Sequence, residues 1–196
     1  MKLELPAGEF DGYIFDLDGT LVDTMPLHYR AWNLAMQHAG LREELSEDLF
    51  YSLGGVPTRR VAELLAQHYG LKVDVEAVFH DKERRFMELQ PEAKLIGPVV
   101  AIARDLFGRA PLAVASGGPR VIVREVLARM GLSPLFPVVV TPEDVEHGKP
   151  APDMFLLAAR RMGVAPEKCL VFEDAGPGFV AAEAAGMKWV VVPSRI

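Results

Sequence analysis

Four short segments carry groups that together could grip and attack a phosphate. FDLDGT sets Asp16 and Asp18 two residues apart, on the same side of an extended chain. Gly19 behind them permits a turn and a close approach of backbone to ligand. A buried pair of acids is costly unless something positive neutralises it, and Mg2+ suits a site made only of oxygen. VASGG offers the Ser116 hydroxyl and then a run of backbone amides, Gly117 first, able to hold phosphate oxygens in a small concavity. HGKPAPD sets Lys149 before two prolines and a helix start at Asp153, and FEDAGPG adds Glu173 and Asp174 as oxygen ligands ahead of a Gly-rich turn. Each segment alone has a plainer explanation: an acidic helix cap, an ordinary SGG turn, a surface lysine, two acids facing the positive end of a helix.

What joins the four is their place in the chain. Apolar runs ending at Gly, Pro or Asp recur at residues 12–15, 112–115, 138–140, 170–172 and 189–192, and each predicts a buried strand. Helical patterns at 121–130, 152–162 and 179–185 close at Gly131, Gly163 and Gly186. This alternation predicts an α/β protein with a Rossmann-like parallel sheet core and helices on both faces. Ligands bind beyond the carboxyl ends of such strands, and the acid pair, the hydroxyl, the lysine and the second acid pair each follow a different predicted strand. The plain explanations would have to coincide at all of them. Residues 21–94 break the alternation, with amphipathic helices at 25–39, 58–69 and 75–89 and no convincing strand. They are read as a helical insertion into a core made of residues 1–20 and 95–196.

Half of the 196 residues are apolar, enough for one core with an inserted unit. The 27 Asp and Glu against 21 Lys and Arg give no general attraction for nucleic acid or an anionic membrane, so an anion site must be built locally. Cys169 is the single cysteine, which excludes an intramolecular disulfide and a Cys-cluster zinc site; its apolar neighbours predict a packed position. The start of the chain lacks the basic and long apolar stretches of a secretory signal, and no apolar segment is long enough to span a bilayer. A cytoplasmic protein is expected.

With these motifs in this order the sequence resembles the haloacid dehalogenase-like superfamily, in particular its branch of β-phosphoglucomutase and the small sugar-phosphate phosphatases. The resemblance runs through nearly the whole chain, and residues 21–94 look like that branch's helical cap. It implies Asp16 as a nucleophile forming an aspartyl-phosphate. Asp18 would protonate the leaving oxygen and then take a proton from water. It implies Ser116, Gly117 and Lys149 around the phosphoryl group, and Mg2+ held by Asp16, the Asp18 carbonyl and Asp174, with Glu173 supporting through water. Thr20 would help orient the acid/base. The positive partners answer a physical need, since a carboxylate meets about 4 kcal/mol of repulsion from one phosphate charge at roughly 4 Å and an effective dielectric near 20.

Within the insertion, Thr24, His28 and Trp32 recur at four-residue intervals and so could share a helix face turned to the catalytic loop; a helix boundary with a buried aromatic is the alternative. The resemblance assigns Thr24 and His28 to setting the acid/base and closing the cap, and matches Lys82 to a cap lysine. A mutase needs basic side chains for a second phosphate, yet Thr58 and Pro119 stand where its arginine and lysine align. Arg59, Arg60 or Arg120 could compensate from neighbouring positions or be solvated surface residues. The GGVPT and EDAGPG segments look more like phosphatases acting on fructose 1-phosphate and related compounds. The expectation is a monomeric Mg2+-dependent phosphatase whose partner is a small phosphorylated metabolite. A β-phosphoglucomutase-like isomerase is the alternative, and a non-catalytic binding protein on the same fold is the third reading.

Overall fold

The computed structural model describes residues 3–193; Met1, Lys2 and residues 194–196, assigned above to the core, lie outside the described residues. The chain opens with β1 (Gly12–Phe15) and β2 (Val22–Asp23), then runs through α1 (Met25–His38), α2 (Glu47–Ser52), α3 (Thr58–His68) and α4 (Val75–Leu89). It returns as β3 (Lys94–Leu95), α5 (Gly97–Leu106), β4 (Leu112–Ala115), α6 (Arg120–Arg129) and β5 (Val138–Val140). It ends in α7 (Asp153–Met162), β6 (Cys169–Glu173), α8 (Gly176–Ala184) and β7 (Lys188–Val191).

Five strands form a parallel sheet in the order β5-β4-β1-β6-β7. In the central strand, Ile14 and Phe15 are both fully buried because successive side chains enter opposite layers. Ile14 packs with Met154, Phe155 and Ala181 of α7 and α8. Phe15 packs with Val99 and Val123 of α5 and α6, and its ring stacks on Phe172 at 4.5 Å. The register pairs Phe15 with Val114 on one side and Phe172 on the other, which brings the residues following β1, β4 and β6 to one edge of the sheet. Gly131, Gly163 and Gly186 close α6, α7 and α8 with φ of 68°, 72° and 71°, as their positions in the sequence imply.

The four helices between β2 and β3 bury a cluster of their own around Trp32, Met36, Phe50 and Leu65, whereas Leu27, Ala31 and Phe86 join the cluster under the sheet. The expectation of no strand in residues 21–94 needs correction. Val22–Asp23 pairs antiparallel with Lys94–Leu95, and Ile96 N–H donates to the Leu21 carbonyl at 2.9 Å, so the chain leaves and re-enters the sheet layer side by side. Two residues per strand are too few for a period to register. α2, capped by Ser46 Oγ accepting from Leu49 N–H at 3.3 Å, and α5 were likewise not expected. α8 begins three residues before its apolar pattern, because the Gly-rich turn of EDAGPG is already its first turn.

Candidate active site

Asp16 is the first residue beyond β1 and is buried. Its Oδ1 accepts from Lys149 Nζ at 2.7 Å, and the same ammonium donates to Glu173 Oε2 at 2.7 Å. The Lys149 and Glu173 side chains are both 0% exposed, so this lysine is no surface residue. Asp174 completes a trio: carboxylate oxygens of Asp16, Glu173 and Asp174 lie within 4.8 Å of one another. Three acids therefore cluster around one ammonium, which bonds two of them. Burial and then the charge of Glu173 push the Asp16 carboxyl well above its ordinary range, although Lys149 pulls it down. The same causes lift Asp174 to about 8. Burial alone would lower Lys149, but Asp16 and Glu173 outweigh it and raise it. This all-oxygen donor set, with more buried negative charge than its lysine offsets, fits a hard divalent cation.

Two glycines make room for the trio. Gly19 has φ of 85°, and a Cβ there would lie 2.3 Å from Asp174 Oδ2. A Cβ on Gly178, in the first turn of α8, would lie 2.0 Å from Glu173 Cδ, so only glycine lets that helix start beneath the carboxylate.

The Asp18 side chain turns toward α1, away from the trio. It accepts from Thr24 Oγ1 at 2.6 Å and pairs with His28 Nε2 at 3.1 Å, while Ser116 Oγ reaches its other oxygen at 3.4 Å. Burial pushes this carboxyl up, but the pull of His28 and the hydrogen bonds from His28 and Thr24, with help from Lys82, hold it at about 2. Burial and then Lys82 lower His28, against the opposing pull of Asp18, and its ring stacks on Phe86 at 3.8 Å. Ser116 Oγ also accepts from Gly118 N–H at 3.1 Å. Thr20 is fully buried, and its hydroxyl has no hydrogen-bond partner. The bonds that orient Asp18 come from Thr24 and His28 instead.

Above these groups lies a small cavity of about 70 Å³. Asp16, Asp18 and Gly117 form its floor, and Met25, Trp32, Phe50, Leu53, Val56 and Val61 give it an apolar roof, with Thr58, His28 and Lys82 the polar side chains among the helices. The loop before α3 sits directly on the sheet edge: a Cβ on Gly117 would lie 2.7 Å from the Gly55 carbonyl oxygen, and one on Gly148 would lie 2.7 Å from Pro57 Cγ. Lys82 is buried and donates to Glu83 Oε1 at 3.0 Å. Glu83 escaped sequence reasoning because adjacent residues on a helix do not face one another in any periodic pattern. Arg59, Arg60 and Arg120 are engaged elsewhere, with Glu76 at 2.7 Å, Glu63 at 2.7 Å and Asp144 at 3.1 Å. Cys169 is fully buried, and burial pushes its thiol up to about 11.

A profile of the haloacid dehalogenase-like hydrolases matches residues 10–186. The chain is 39% identical to the fructose-1-phosphate phosphatase YqaB of Escherichia coli, over 93% of this chain and 96% of that one. It is 34% identical to a phosphorylated carbohydrates phosphatase of Thermotoga maritima, over 91% and 82% of the two chains. Its fold superimposes on a hydrolase from Pseudomonas syringae with a TM-score of 0.82 and 25% identity, over 91% of this chain and 83% of that one. The chain belongs to the haloacid dehalogenase-like hydrolases. Within that family it is a phosphoric monoester hydrolase. No helix among the described residues is long and apolar enough to cross a membrane.

Proposed function

We propose that the protein hydrolyses a small sugar phosphate through an aspartyl-phosphate on Asp16, with residues 21–94 acting as a cap over a catalytic core of residues 1–20 and 95–196. The observation that carries this reading is the meeting, on the floor of one cavity, of a Lys149-bonded Asp16 and an Asp18 held by Thr24 and His28. The substrate class draws on the relatives, one named for fructose 1-phosphate and another for phosphorylated carbohydrates.

The Asp16 carboxylate attacks phosphorus as the bond to the leaving oxygen breaks, and Asp18 delivers the proton that the sugar alkoxide needs. The negative charge of an arriving phosphate favours protonation of Asp18, against the groups that otherwise hold it ionised. In the second step the ionised Asp18 takes a proton from water, the water oxygen bonds to phosphorus, and the Asp16 carboxylate is released. Lys149, Ser116 and the Gly117 amide offset and orient the charge on the transferring group. Asp16, Glu173 and Asp174, with the Asp18 carbonyl, would hold Mg2+, which supplies the positive charge that lets carboxylate and phosphate approach. None of Arg59, Arg60 and Arg120 lines the cavity, and this favours hydrolysis over a mutase, which must grip a second phosphate.

A phosphorus NMR time course tests this with Mg2+ and fructose 1-phosphate, β-glucose 1-phosphate with trace bisphosphate, and 6-phosphogluconate. Inorganic phosphate should accumulate with the wild type, and Asp16→Asn should lower its rate by at least about a thousandfold. Conversion of β-glucose 1-phosphate to glucose 6-phosphate without phosphate release would replace hydrolysis with the mutase reaction.

A further inference from the structure

We propose that Glu83 is a specificity-determining residue. By holding Lys82 in a buried one-to-one ion pair, it leaves the helical end of the cavity electrically neutral and selects leaving groups that carry hydroxyls over those that carry a second anionic group. This rests on the cavity being the place of the sugar, as proposed above.

Lys82 lines the cavity and is 2% exposed, and Glu83 beside it is 8% exposed. The ammonium lies 5.6 Å from the ring centre of Trp32 and 5.1 Å from that of Phe86, so the pair sits among aromatic surfaces where charges are poorly screened. Glu83 Oε1 accepts from Lys82 at 3.0 Å, and Oε2 is buried with no hydrogen-bond partner. Among the described residues, Lys82 is thus the single hydrogen-bond donor to this carboxylate. A substrate anion that drew Lys82 to itself would leave Glu83 buried and uncompensated, and would add its own repulsion with that carboxylate. A hydroxyl makes no such demand. An ammonium has three N–H donors, one of which is directed at Glu83, and a sugar oxygen can accept from another without breaking the pair. Among the described residues, Arg59 and Arg60 do not line this cavity and are paired at the surface with Glu76 and Glu63.

Fructose 1-phosphate and fructose 1,6-bisphosphate share the ester at carbon 1 and differ at the far end of the sugar. Release of that phosphate, followed by phosphorus NMR, should favour the monophosphate in kcat/KM by at least about tenfold in the wild type, a discrimination typical of a desolvated charge pair. Glu83→Gln keeps the shape and removes the charge. It should shrink the preference by about tenfold, mainly through a lower KM for the bisphosphate, as an unmasked Lys82 accepts the second phosphate. Adding Lys82→Met to Glu83→Gln should restore the preference. A wild type that treats the two esters alike, or a folded Glu83→Gln whose preference is unmoved, would overturn the inference while leaving phosphate release intact. Should Glu83→Gln fail to fold, the wild-type ratio decides by itself. A wild type that releases phosphate from neither ester sinks the sugar-phosphatase reading, and this inference falls with it.

Discussion

At the scale of single residues, the site places its two aspartates in opposite surroundings two positions apart. Asp16 is crowded by Glu173 and answered by one lysine, whereas Asp18 is surrounded by donors. Thr24 makes the shortest of the bonds to Asp18, at 2.6 Å. Thr24→Val keeps the volume and removes that donor, and kcat should fall by about ten- to a hundredfold, a fraction of the full acid/base contribution. Steady-state kinetics on any hydrolysed ester checks this, and an unchanged kcat would show that His28 positions Asp18 unaided. Asp16, Ser116 and the Glu173–Asp174 pair were legible in the sequence, because each lies at the end of an apolar run and the sheet register then does the gathering. Glu83 was illegible for the opposite reason. Its role depends on a side chain bending back to its immediate neighbour, which no helical period encodes.

At the scale of elements, the helical segment is tied together by charge as well as by packing. Asp81 on α4 accepts from Arg85 Nε at 2.9 Å and from Arg84, and pairs with His38, the last residue of α1, at 3.1 Å. Burial would raise the Asp81 carboxyl, but these three partners hold it down at about 2. A depressed folded value means that the unfolded chain binds more protons between its ordinary value near 4 and about 2. The stabilisation is therefore complete above pH 4 and disappears as the pH falls through 2. Asp81→Asn should cost at most about 1 kcal/mol near neutrality, since the partners reach in from solvent. Urea titrations at several pH values should show the gap between variant and wild type closing over that window; a gap independent of pH would exclude this origin. The fifteen-residue α4 was legible because a period could build up, and its expected and observed limits coincide, whereas the ten-residue α5 went unread. β2 and β3 were not legible, because only the closure of the helical segment brings two such short strands side by side. The start of α8 was hidden too, since Gly178, which looks like part of a loop, is required there by the Glu173 carboxylate.

At the scale of the whole molecule, the acidic trio joins the ends of β1 and β6, and a cation shared between them should brace the sheet. Mg2+ at a hundred times its dissociation constant should stabilise the folded state by about 2.7 kcal/mol. Thermal denaturation should show a Tm raised by Mg2+, returned to its starting value by EDTA, and largely insensitive to the ion in Asp174→Asn. A wild-type Tm indifferent to Mg2+ would count against the trio as its site.

The strand order carries a further consequence, for the making of the protein rather than its working. β1 lies between β4 and β6, so this strand leaves the ribosome with neither neighbour yet synthesised. Its apolar Ile14 and Phe15 must wait through the entire helical segment before Leu112–Ala115 covers one edge and Cys169–Glu173 the other. A chain stopped before Cys169 leaves an apolar central strand with an open edge, a template for sticking to other chains. Premature termination here therefore yields an aggregation hazard rather than a weakened enzyme, and full-length synthesis is the condition for solubility as much as for catalysis.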